Sequence, residues 1–543
     1  MTDDPEGSAV GTTVDDPPSA PVNPINPWLI AVTVMLATFM EVLDTSVANV
    51  ALPHIAGGLA VDVQESTWVL TSYLVSNAIV LPLSGWLSSL LGRKNVFLAC
   101  VALFSMSSFL CGIAPSLGLL ILFRVFQGMG GGAMQPISQA VLLESFPPEK
   151  RGLAMGVFGM GVVVAPIVGP TLGGWLSDNF SWRWIFFINL PVGMLSLFLT
   201  SLFVFDPPYL ARERRGRVRI DYIGLGLICL GLGCLQVFLD KGQMKDWFAS
   251  DLIVATGTIA LLSLSALIVW ELIAPAPVIN LRLLKDRNFA MGVVAMFTLG
   301  FILYGSLLLL PVFLQQLLGY TAMLAGMVLS PGGILTLIMM PIVGALVARV
   351  QARYLIMAGL FIVAYSMFYM AGFNLQIDFW TAVQARSITG AGLAFLFVPI
   401  NAAAFYYVAK EKTGQGTAII NLTRNIGGSF GIAFVTTLLA RRMQMHQNLL
   451  VPRLTSLNPV YNQAAARVLA ALMHRGISTS QAATGAREVI QGTLTQQSAM
   501  QAYTDVFQIL GLISLVLVPF MFLVKRTKAE AGGPVGLHGR RKI

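Results

Sequence analysis

The sequence has few charged residues for its length. Only 11% of its 543 residues are Asp, Glu, Lys or Arg, whereas 56% are hydrophobic. Soluble domains carry about 25% charged residues, and a soluble chain of this length could not cover its surface with so few. Apolar runs of about twenty residues, the length that crosses a bilayer, recur along the whole chain. The composition therefore excludes a large soluble protein and indicates a polytopic membrane protein.

Residues with redox, metal or nucleotide chemistry are also scarce. The four cysteines (Cys100, Cys111, Cys229 and Cys234) fall in apolar runs and show no disulfide or metal spacing. The four histidines show no metal-ligand spacing, and the phosphate-binding pattern GxxxxGK followed by Ser or Thr does not occur. We therefore expect no enzyme chemistry, no metal, no cofactor and no ATP-driven step. The net charge of +9 lies mainly in loops, which argues against a nucleic-acid partner.

The apolar runs predict fourteen membrane-spanning helices. They cover roughly 28–50, 66–88, 95–113, 116–138, 152–174, 184–205, 221–240, 251–272, 289–313, 321–348, 354–372, 380–406, 417–440 and 504–524. Sixteen Lys and Arg residues fall in the short loops of one side, five of them within 212–219. The short loops of the other side hold only Lys241 and Lys245, with Arg183 at a membrane edge. By the positive-inside rule, both termini are expected in the cytoplasm.

Three segments lie outside this pattern of spans. The acidic, Pro-rich start at 1–27 has no basic region before an apolar run, so it is expected to be a disordered cytoplasmic tail and not a signal peptide. A second cytoplasmic tail is expected at 525–543. The outer loop 441–503 contains AAARVLAALMHRG (464–476), whose pattern suits an amphipathic helix. At least two short helices are predicted in this loop.

The sequence contains an internal repeat. PLSGWLSSLLGRK (82–94) matches PIVGALVARVQAR (341–353) at an offset of 259, and RVFQGMGGGAMQP (124–136) matches RSITGAGLAFLFVP (386–399) at an offset of 262. Two motifs with nearly the same offset predict two six-helix halves, 28–205 and 289–524, with an extra helix pair within 206–288. Repeats of this kind place a substrate site at the interface of the halves, near the bilayer midplane.

Four short stretches carry a resemblance to a known family. They are LDTSVANVALP (43–53), GWLSSLLGRK (85–94), RVFQGMGGGAMQP and GVVVAPIVGPTLGG (161–174). Together they resemble the major facilitator superfamily, and within it the fourteen-span drug:proton antiporter branch of the EmrB and QacA type. The resemblance implies an all-α membrane protein that exports lipophilic small molecules across the bacterial inner membrane, driven by the proton gradient. It also implies that the outer loop docks to a periplasmic adaptor of the EmrA type, which leads to an outer-membrane channel.

Two of these stretches are expected to control the movement of the halves. In the loop between the second and third spans, the acid and base that usually precede the Gly-Arg-Lys are replaced by Ser89 and Leu90, which leaves Gly85, Gly92, Arg93 and Lys94. In the fifth span, small residues recur every four positions and allow close helix approach, while two prolines permit a bend. These are Gly161, Ala165, Gly169 and Gly173, with Pro166 and Pro170. The expected partner of this stripe is the tenth span.

Two acids lie inside the first apolar run. Glu41 and Asp44 are three residues apart, so they share one helix face. Two carboxylates facing lipid would be costly, and the face is therefore predicted to line the cavity between the halves. We expect Asp44, opposed by Arg124, to be the main proton carrier, and Glu41 to assist it or to contact cationic substrate. The alternative is a structural ion pair that closes the N-terminal half.

A second set of polar and aromatic residues is expected to line the substrate cavity. An intramembrane arginine needs a partner or a wet cavity, and the repeat makes Arg386 the counterpart of Arg124. Amide and aromatic side chains suit bulky lipophilic ligands. The predicted set is Tyr73, Asn77, Gln127, Gln135, Phe158, Arg386, Asn401 and Arg424.

Two other functions remain open at the level of the sequence. The same fold could carry one physiological metabolite, or the chain could be a membrane receptor or scaffold that transports nothing. Two membrane acids and an intramembrane arginine in a duplicated fold favour transport, because a scaffold gains nothing from their desolvation cost. Protons, lipophilic small molecules and membrane lipids are therefore the expected partners, together with the adaptor and the channel.

Overall fold

The computed structural model describes residues 26–147, 150–206, 221–275, 277–455, 457–476 and 478–525. Within these ranges every regular element is a helix, which confirms the predicted all-α class. Residues 1–25 of the tail expected at 1–27, the arginines of 212–219 and the chain after residue 525 lie outside the described residues, and α1 already begins at Pro27.

Together with several short 3-10 helices, the described chain contains fourteen long α-helices and one shorter outer α-helix. These are α1 (Pro27–Leu59), α2 (Gln64–Leu91), α3 (Arg93–Ile113), α4 (Leu117–Ser145), α5 (Arg151–Asn179), α6 (Trp184–Phe203), α7 (Tyr222–Lys241), α8 (Asp251–Ile273), α9 (Arg287–Gln316), α10 (Ala322–Leu346), α11 (Ala352–Ala371), α12 (Phe379–Ala404), α13 (Thr413–Leu450), α14 (Pro459–His474) and α15 (Thr479–Leu517). Each of the fourteen predicted spans coincides with one long helix.

Thirteen of the described helices are long and apolar enough to cross a membrane, and α13 is not among them. Its middle carries Asn421, Arg424 and Asn425, which lower its hydropathy. The helix nevertheless packs along α9, α15 and α2. It is therefore surrounded by protein on several sides, where polar side chains find partners other than lipid.

The outer segment is more helical than predicted. α13 runs ten residues beyond the predicted end of its span, and α15 begins at Thr479, within the predicted outer loop. The described part of 441–503 has two separate helices, the 3-10 helix Val451–Arg453 and α14, which packs on α15. The prediction of at least two short helices in this loop is confirmed, although most of the segment prolongs the two neighbouring spans.

The helices form two groups that meet along a central interface. α1 packs on α5 and α6, and α3 packs on α4 and α6, while α9 packs on α13 and α11 packs on α12 and α15. Between the groups, α5 contacts α10 and α12, and α13 contacts α2 and α4. The interface therefore brings the middle of α4 close to the middle of α13.

The inserted pair α7 and α8 lies beside this interface. α7 contacts both α2 and α13. The Ser429 hydroxyl on α13 donates to Gln236 Oε1 on α7 at 2.9 Å, and Lys241 Nζ donates to Thr67 Oγ1 at the start of α2. One inserted helix is thus bonded to both halves.

The two halves repeat one local packing arrangement. A Cβ atom at Gly128 on α4 would overlap Ser76 and the Tyr73 carbonyl on α2, and a Cβ atom at Gly390 on α12 would overlap Thr336 and the Gly332 carbonyl on α10. The pairs Gly128 and Gly390, Ser76 and Thr336, and Tyr73 and Gly332 have sequence offsets of 262, 260 and 259. The structure thus reproduces the sequence repeat at the contact between the second and fourth helices of each half.

Candidate functional site

A buried ion pair joins α1 to α4. Arg124 Nη1 donates to Asp44 Oδ2 at 2.5 Å, and Arg124 Nε donates to the Val69 carbonyl at 3.0 Å. The other Asp44 oxygen accepts from Gln127 Nε2 at 2.9 Å and from Asn189 Nδ2 at 2.7 Å. Three side chains from α4 and α6 therefore satisfy one carboxylate of α1.

Glu41 lies one turn earlier on the same helix and has different partners. Its Oε1 accepts from Asn77 Nδ2 at 3.2 Å and from the Tyr73 hydroxyl at 3.4 Å, and its Oε2 accepts from Gln135 Nε2. All three donors are neutral, and the Glu41 side chain is buried. The two acids thus share a helix face, but only Asp44 contacts a cation directly.

Tyr73 connects the two acids. The Arg124 guanidinium lies over the Tyr73 ring, 4.3 Å from its centroid, and the hydroxyl of the same ring donates to Glu41. Cation–π contacts of this kind strengthen where water is excluded. Asp44 and Glu41 are therefore connected through Arg124 and Tyr73.

Glu41 is also connected to the C-terminal half. Arg424 Nη2 on α13 donates to Gln135 Oε1, and the amide nitrogen of the same Gln135 donates to Glu41. One turn further along α4, Gln139 Nε2 donates to Asn401 Oδ1 and Gln139 Oε1 accepts from Asn421 Nδ2, each at 2.5 Å. Two amides of α4 therefore bridge the interface between the halves.

Gln139 and Asn189 were missed at the level of the sequence. Gln139 follows Gln135 by four residues, and this spacing places both amides on one face of α4. Asn189 donates to Asp44 and to Ser108 Oγ, yet it lies 145 residues from Asp44 in the chain. The spacing could have indicated Gln139, whereas the sequence has no local signal for Asn189.

The remaining predicted cavity residues fall into two situations. Phe158 on α5 stacks on Phe397 of α12, with ring centroids 6.4 Å apart, so it lies at the interface. Arg386 is also buried, but no hydrogen bond joins it to the residues above, and its Nε and Nη1 have no hydrogen-bond partner among the described residues. Asn401 and Arg424 belong to the amide bridges.

The basic residues of the loop between α2 and α3 find their acidic partners on other segments of the chain. Arg93 forms a buried ion pair with Glu144 near the end of α4, whereas the Ser89 hydroxyl donates to the Trp86 carbonyl of its own helix. Lys94 donates its backbone N–H to Asp206 Oδ1 at 2.9 Å and its Nζ to the Ser201 carbonyl at 2.7 Å. Glu144 and Asp206 thus supply carboxylates where Ser89 supplies none.

Glycines set the spacing around this loop. Gly92 has φ of +90° between α2 and α3, a backbone conformation that strains other residues. A Cβ atom at Gly85 would lie 3.0 Å from the Gly414 carbonyl oxygen and from Gln415 Cα. Residues larger than glycine at position 85 would therefore push α2 away from the start of α13.

The small-residue stripe of α5 packs on α1. A Cβ atom at Gly161 would meet Met35, one at Gly169 would overlap Ser46, and one at Gly173 would meet Val47. The prediction that this stripe faces the tenth span is wrong. α10 does pack on α5, but it uses a different set of glycines on α5, namely Gly152, Gly156 and Gly159.

Ser46 also explains how α5 tolerates its prolines. Pro170 has no N–H, so the Pro166 carbonyl four residues earlier has no helical donor. The Ser46 hydroxyl of α1 donates to that carbonyl at 3.1 Å. The unpaired carbonyl is thus satisfied by the helix against which the stripe packs.

Comparisons with known proteins agree with this architecture. The family model described as Major Facilitator Superfamily matches residues 34–432. The chain is 38% identical to the fatty acid resistance protein FarB of Neisseria gonorrhoeae, over 92% of this chain and 96% of that protein. It is 37% identical to the multidrug export protein EmrB of Escherichia coli K12, over 94% of this chain and 98% of that protein.

A solved structure shares the fold at low sequence identity. A double-tryptophan mutant of XylE matches with a TM-score of 0.60 and 14% identity, over 93% of this chain and 97% of that one. The family model covers more than half of the chain, and the two relatives cover nearly all of it. The chain therefore belongs to the major facilitator superfamily.

Proposed function

We propose that this member of the major facilitator superfamily exports lipophilic small molecules in exchange for protons. It would act in the bacterial inner membrane, with both termini in the cytoplasm, as the Lys and Arg of the short loops indicate. The names of the two relatives, a multidrug export protein and a fatty acid resistance protein, support export of lipophilic compounds. The proton gradient supplies the energy, and no cofactor is required.

The observation that carries this proposal is a continuous polar chain between the halves. It runs from Asp44 through Arg124 and Tyr73 to Glu41, and from there through Gln135 to Arg424. Buried polar groups in a membrane are costly and mark ion or substrate pathways. A chain that begins at an ion pair inside one half and ends on an arginine of the other can couple protonation to the separation of the halves.

Asp44 is the proposed proton carrier. Its partners lie on α4 and α6, within the N-terminal half. Protonation removes its negative charge, weakens the ion pair and leaves Arg124 to find other acceptors. Arg124 also contacts the Tyr73 ring, so its movement disturbs the hydrogen bond between Tyr73 and Glu41. The proton thereby acts on the bridge to the C-terminal half.

Glu41 is the proposed contact for cationic substrate. Its carboxylate is held by neutral donors only, so a bound cation would gain the direct charge contact that these donors do not provide. A ligand that displaces Gln135 from Glu41 also frees Arg424, because the Gln135 amide is hydrogen-bonded to both residues. Proton and substrate then compete through one network, and this competition yields antiport by linkage.

The outer extensions are the proposed docking surface for an adaptor. α13 has 38 residues and α15 has 39, which correspond to about 57 Å and 58 Å of helix. A hydrocarbon core is about 30 Å thick, so part of each helix projects beyond it. α14 packs on this projection, with Leu457 and Val460 strongly exposed at its start. An EmrA-type periplasmic adaptor would dock here and lead to an outer-membrane channel.

The decisive experiment uses purified protein in proteoliposomes with an imposed pH gradient. Tetraphenylphosphonium serves as a lipophilic cation, and an internal pH-sensitive dye reports proton movement. Antiport predicts substrate-dependent proton flux that requires the gradient and disappears when an ionophore collapses it. If no lipophilic compound moves protons, a receptor or scaffold is favoured. If one metabolite moves protons and lipophilic compounds do not, the single-substrate transporter is favoured.

A further inference from the structure

The C-terminal half contains a buried arginine whose charge is not compensated. Arg386 on α12 is 2% exposed, and its Nε and Nη1 have no hydrogen-bond partner among the described residues. Between Arg287 and Leu450 the only acids in the sequence are Asp378, at the N-cap of α12, and Glu411, in the 3-10 helix Lys410–Lys412. Asp505 on α15 is paired with Arg442 and His446. Burying an unpaired charge is expensive. An anion supplied from outside the chain would offset this cost.

The repeat shows which position Arg386 occupies. Gly128 packs against Ser76 and Tyr73, and Gly390 packs in the same way against Thr336 and Gly332. Gly128 and Gly390 each lie four residues after the arginine of their own half. The two arginines therefore emerge from equivalent points of equivalent helices. Arg386 has in its half the place that Arg124 has in the other.

The acid and the amide that bond to Arg124 are replaced at the corresponding positions of the C-terminal half. At offsets of 259 to 262, the positions that correspond to Asp44 are residues 303–306 of α9, which are Leu, Tyr, Gly and Ser. An offset of 262 places Thr389 at the position of Gln127. The carboxylate and the longer amide are thus exchanged for neutral and mostly smaller groups.

The aromatic ring that contacts the arginine is missing from the C-terminal half as well. An offset of 259 places Gly332 at the position of Tyr73, whose ring lies under Arg124. A Cβ atom at Gly332 would lie 2.8 Å from Arg386 Cγ, so this position does abut the arginine side chain. The C-terminal half therefore retains the positive charge and lacks both the acid and the ring that enclose Arg124.

We propose that Arg386 binds the carboxylate of a lipophilic organic acid as this substrate passes through the C-terminal half. A guanidinium matches a carboxylate with two parallel hydrogen bonds, and the unpaired Nε and Nη1 can donate them. The N-terminal half then serves cations through Glu41, and the C-terminal half serves anions through Arg386. The inference rests on the proposed export function and adds to it the residue that would bind acidic substrates.

The test compares three ligands of one chain length on the full-length protein in nanodiscs. Decanoate carries the carboxylate, methyl decanoate has the same tail without the charge, and decyltrimethylammonium carries the opposite charge. The variant Arg386→Met should weaken decanoate binding at least tenfold and leave methyl decanoate within twofold of the wild type. Arg386→Lys keeps the charge and should retain most of the decanoate affinity.

A second variant leaves Arg386 in place. Ser306 is buried on α9 and corresponds to Asp44 at an offset of 262, so Ser306→Asp introduces a carboxylate at the repeat position of Asp44. This variant should weaken decanoate binding as strongly as Arg386→Met and should raise the melting temperature of the ligand-free protein. It provides the test if Arg386→Met does not fold. Ser306→Asn is its uncharged control and should bind decanoate like the wild type.

Three results would overturn the proposal. One is unchanged decanoate affinity in both Arg386→Met and Ser306→Asp. Another is a parallel loss of methyl decanoate binding, which would indicate lost packing instead of a lost charge contact. The third is that chloride stabilises the protein only when Arg386 is present, while decanoate affinity does not depend on Arg386. This result would indicate that the arginine binds an inorganic anion.

Transport assays separate this proposal from the export function on which it rests. Arg386→Met should reduce decanoate export by a larger factor than decyltrimethylammonium export, with both compounds measured in the same proteoliposomes. If the wild type exports neither compound, the proposed function fails, and the binding comparison still decides whether Arg386 holds carboxylates.

Discussion

Arg124 Nη1 lies 2.5 Å from Asp44 Oδ2, although the two residues are 80 positions apart in the chain. Both side chains are almost fully buried, and the pair fastens α4 to α1 inside the N-terminal half. Asp44 also accepts from α6 through Asn189. One carboxylate thus holds three helices together, so its protonation has structural consequences.

Replacing Asp44 with asparagine should separate stability from coupling. Asp44→Asn leaves the buried Arg124 without its anion, and losing one partner of such a pair typically costs about 3–5 kcal/mol. We expect an expressed protein with a lower melting temperature that binds substrate but shows no efflux driven by pH. The double variant Asp44→Asn/Arg124→Gln should recover much of the stability and none of the coupling. Normal transport and normal proton coupling in Asp44→Asn would show that the proton is carried elsewhere.

Glu41→Gln should distinguish substrates by charge. The amide has nearly the same shape as the carboxylate but offers a cation no negative charge, whereas neutral compounds lose little. We expect at least a fivefold loss of affinity for tetraphenylphosphonium, with neutral lipophilic compounds changed less than twofold. Tryptophan-fluorescence titration of both ligand types on the same preparation measures the difference. Equal losses for the two types would contradict a charge contact at Glu41.

Two neighbouring glycines of α5 provide a matched pair of variants. A Cβ atom at Gly169 would overlap Ser46 of α1, whereas a Cβ atom at Gly174 would have nothing within 4 Å. Overpacking typically costs about 1–3 kcal/mol, and an unobstructed Gly-to-Ala change in a helix gains about 0.5–1 kcal/mol. Gly169→Ala should therefore lower the melting temperature and the transport rate, and Gly174→Ala should lower neither. Similar behaviour of both variants would argue against tight packing of α5 on α1.

The outer helix α14 should be dispensable for folding and required for adaptor binding. Since α15 begins at Thr479, a deletion must end before that residue to keep the last span intact. Replacing 455–478 with a flexible linker of the same length should leave a protein that elutes as one peak in detergent but does not retain the adaptor in pull-down. The point variant Val460→Ser, at a position that is 71% exposed, tests the same surface without a deletion. Full adaptor retention by both variants would exclude α14 from the docking surface.

The class of the protein and the positions of its long helices followed from the sequence. Hydropathy, the placement of Lys and Arg and the repeat offsets are properties of short stretches, and a membrane forces each apolar stretch of sufficient length into a helix because backbone groups must be paired internally. The same reasoning failed at the outer ends of α13 and α15. There the chain leaves the membrane and apolarity no longer marks where a helix ends.

The partners of individual side chains were decided by the tertiary structure. The carboxylate for Arg93 comes from Glu144, the stripe of α5 meets α1, and Gln139 reaches Asn401 at a distance of 262 positions along the chain. Such contacts depend on how each helix is rotated about its own axis and on which helix lies beside it. A sequence determines the face on which a residue lies, and only the packed bundle determines what that face meets.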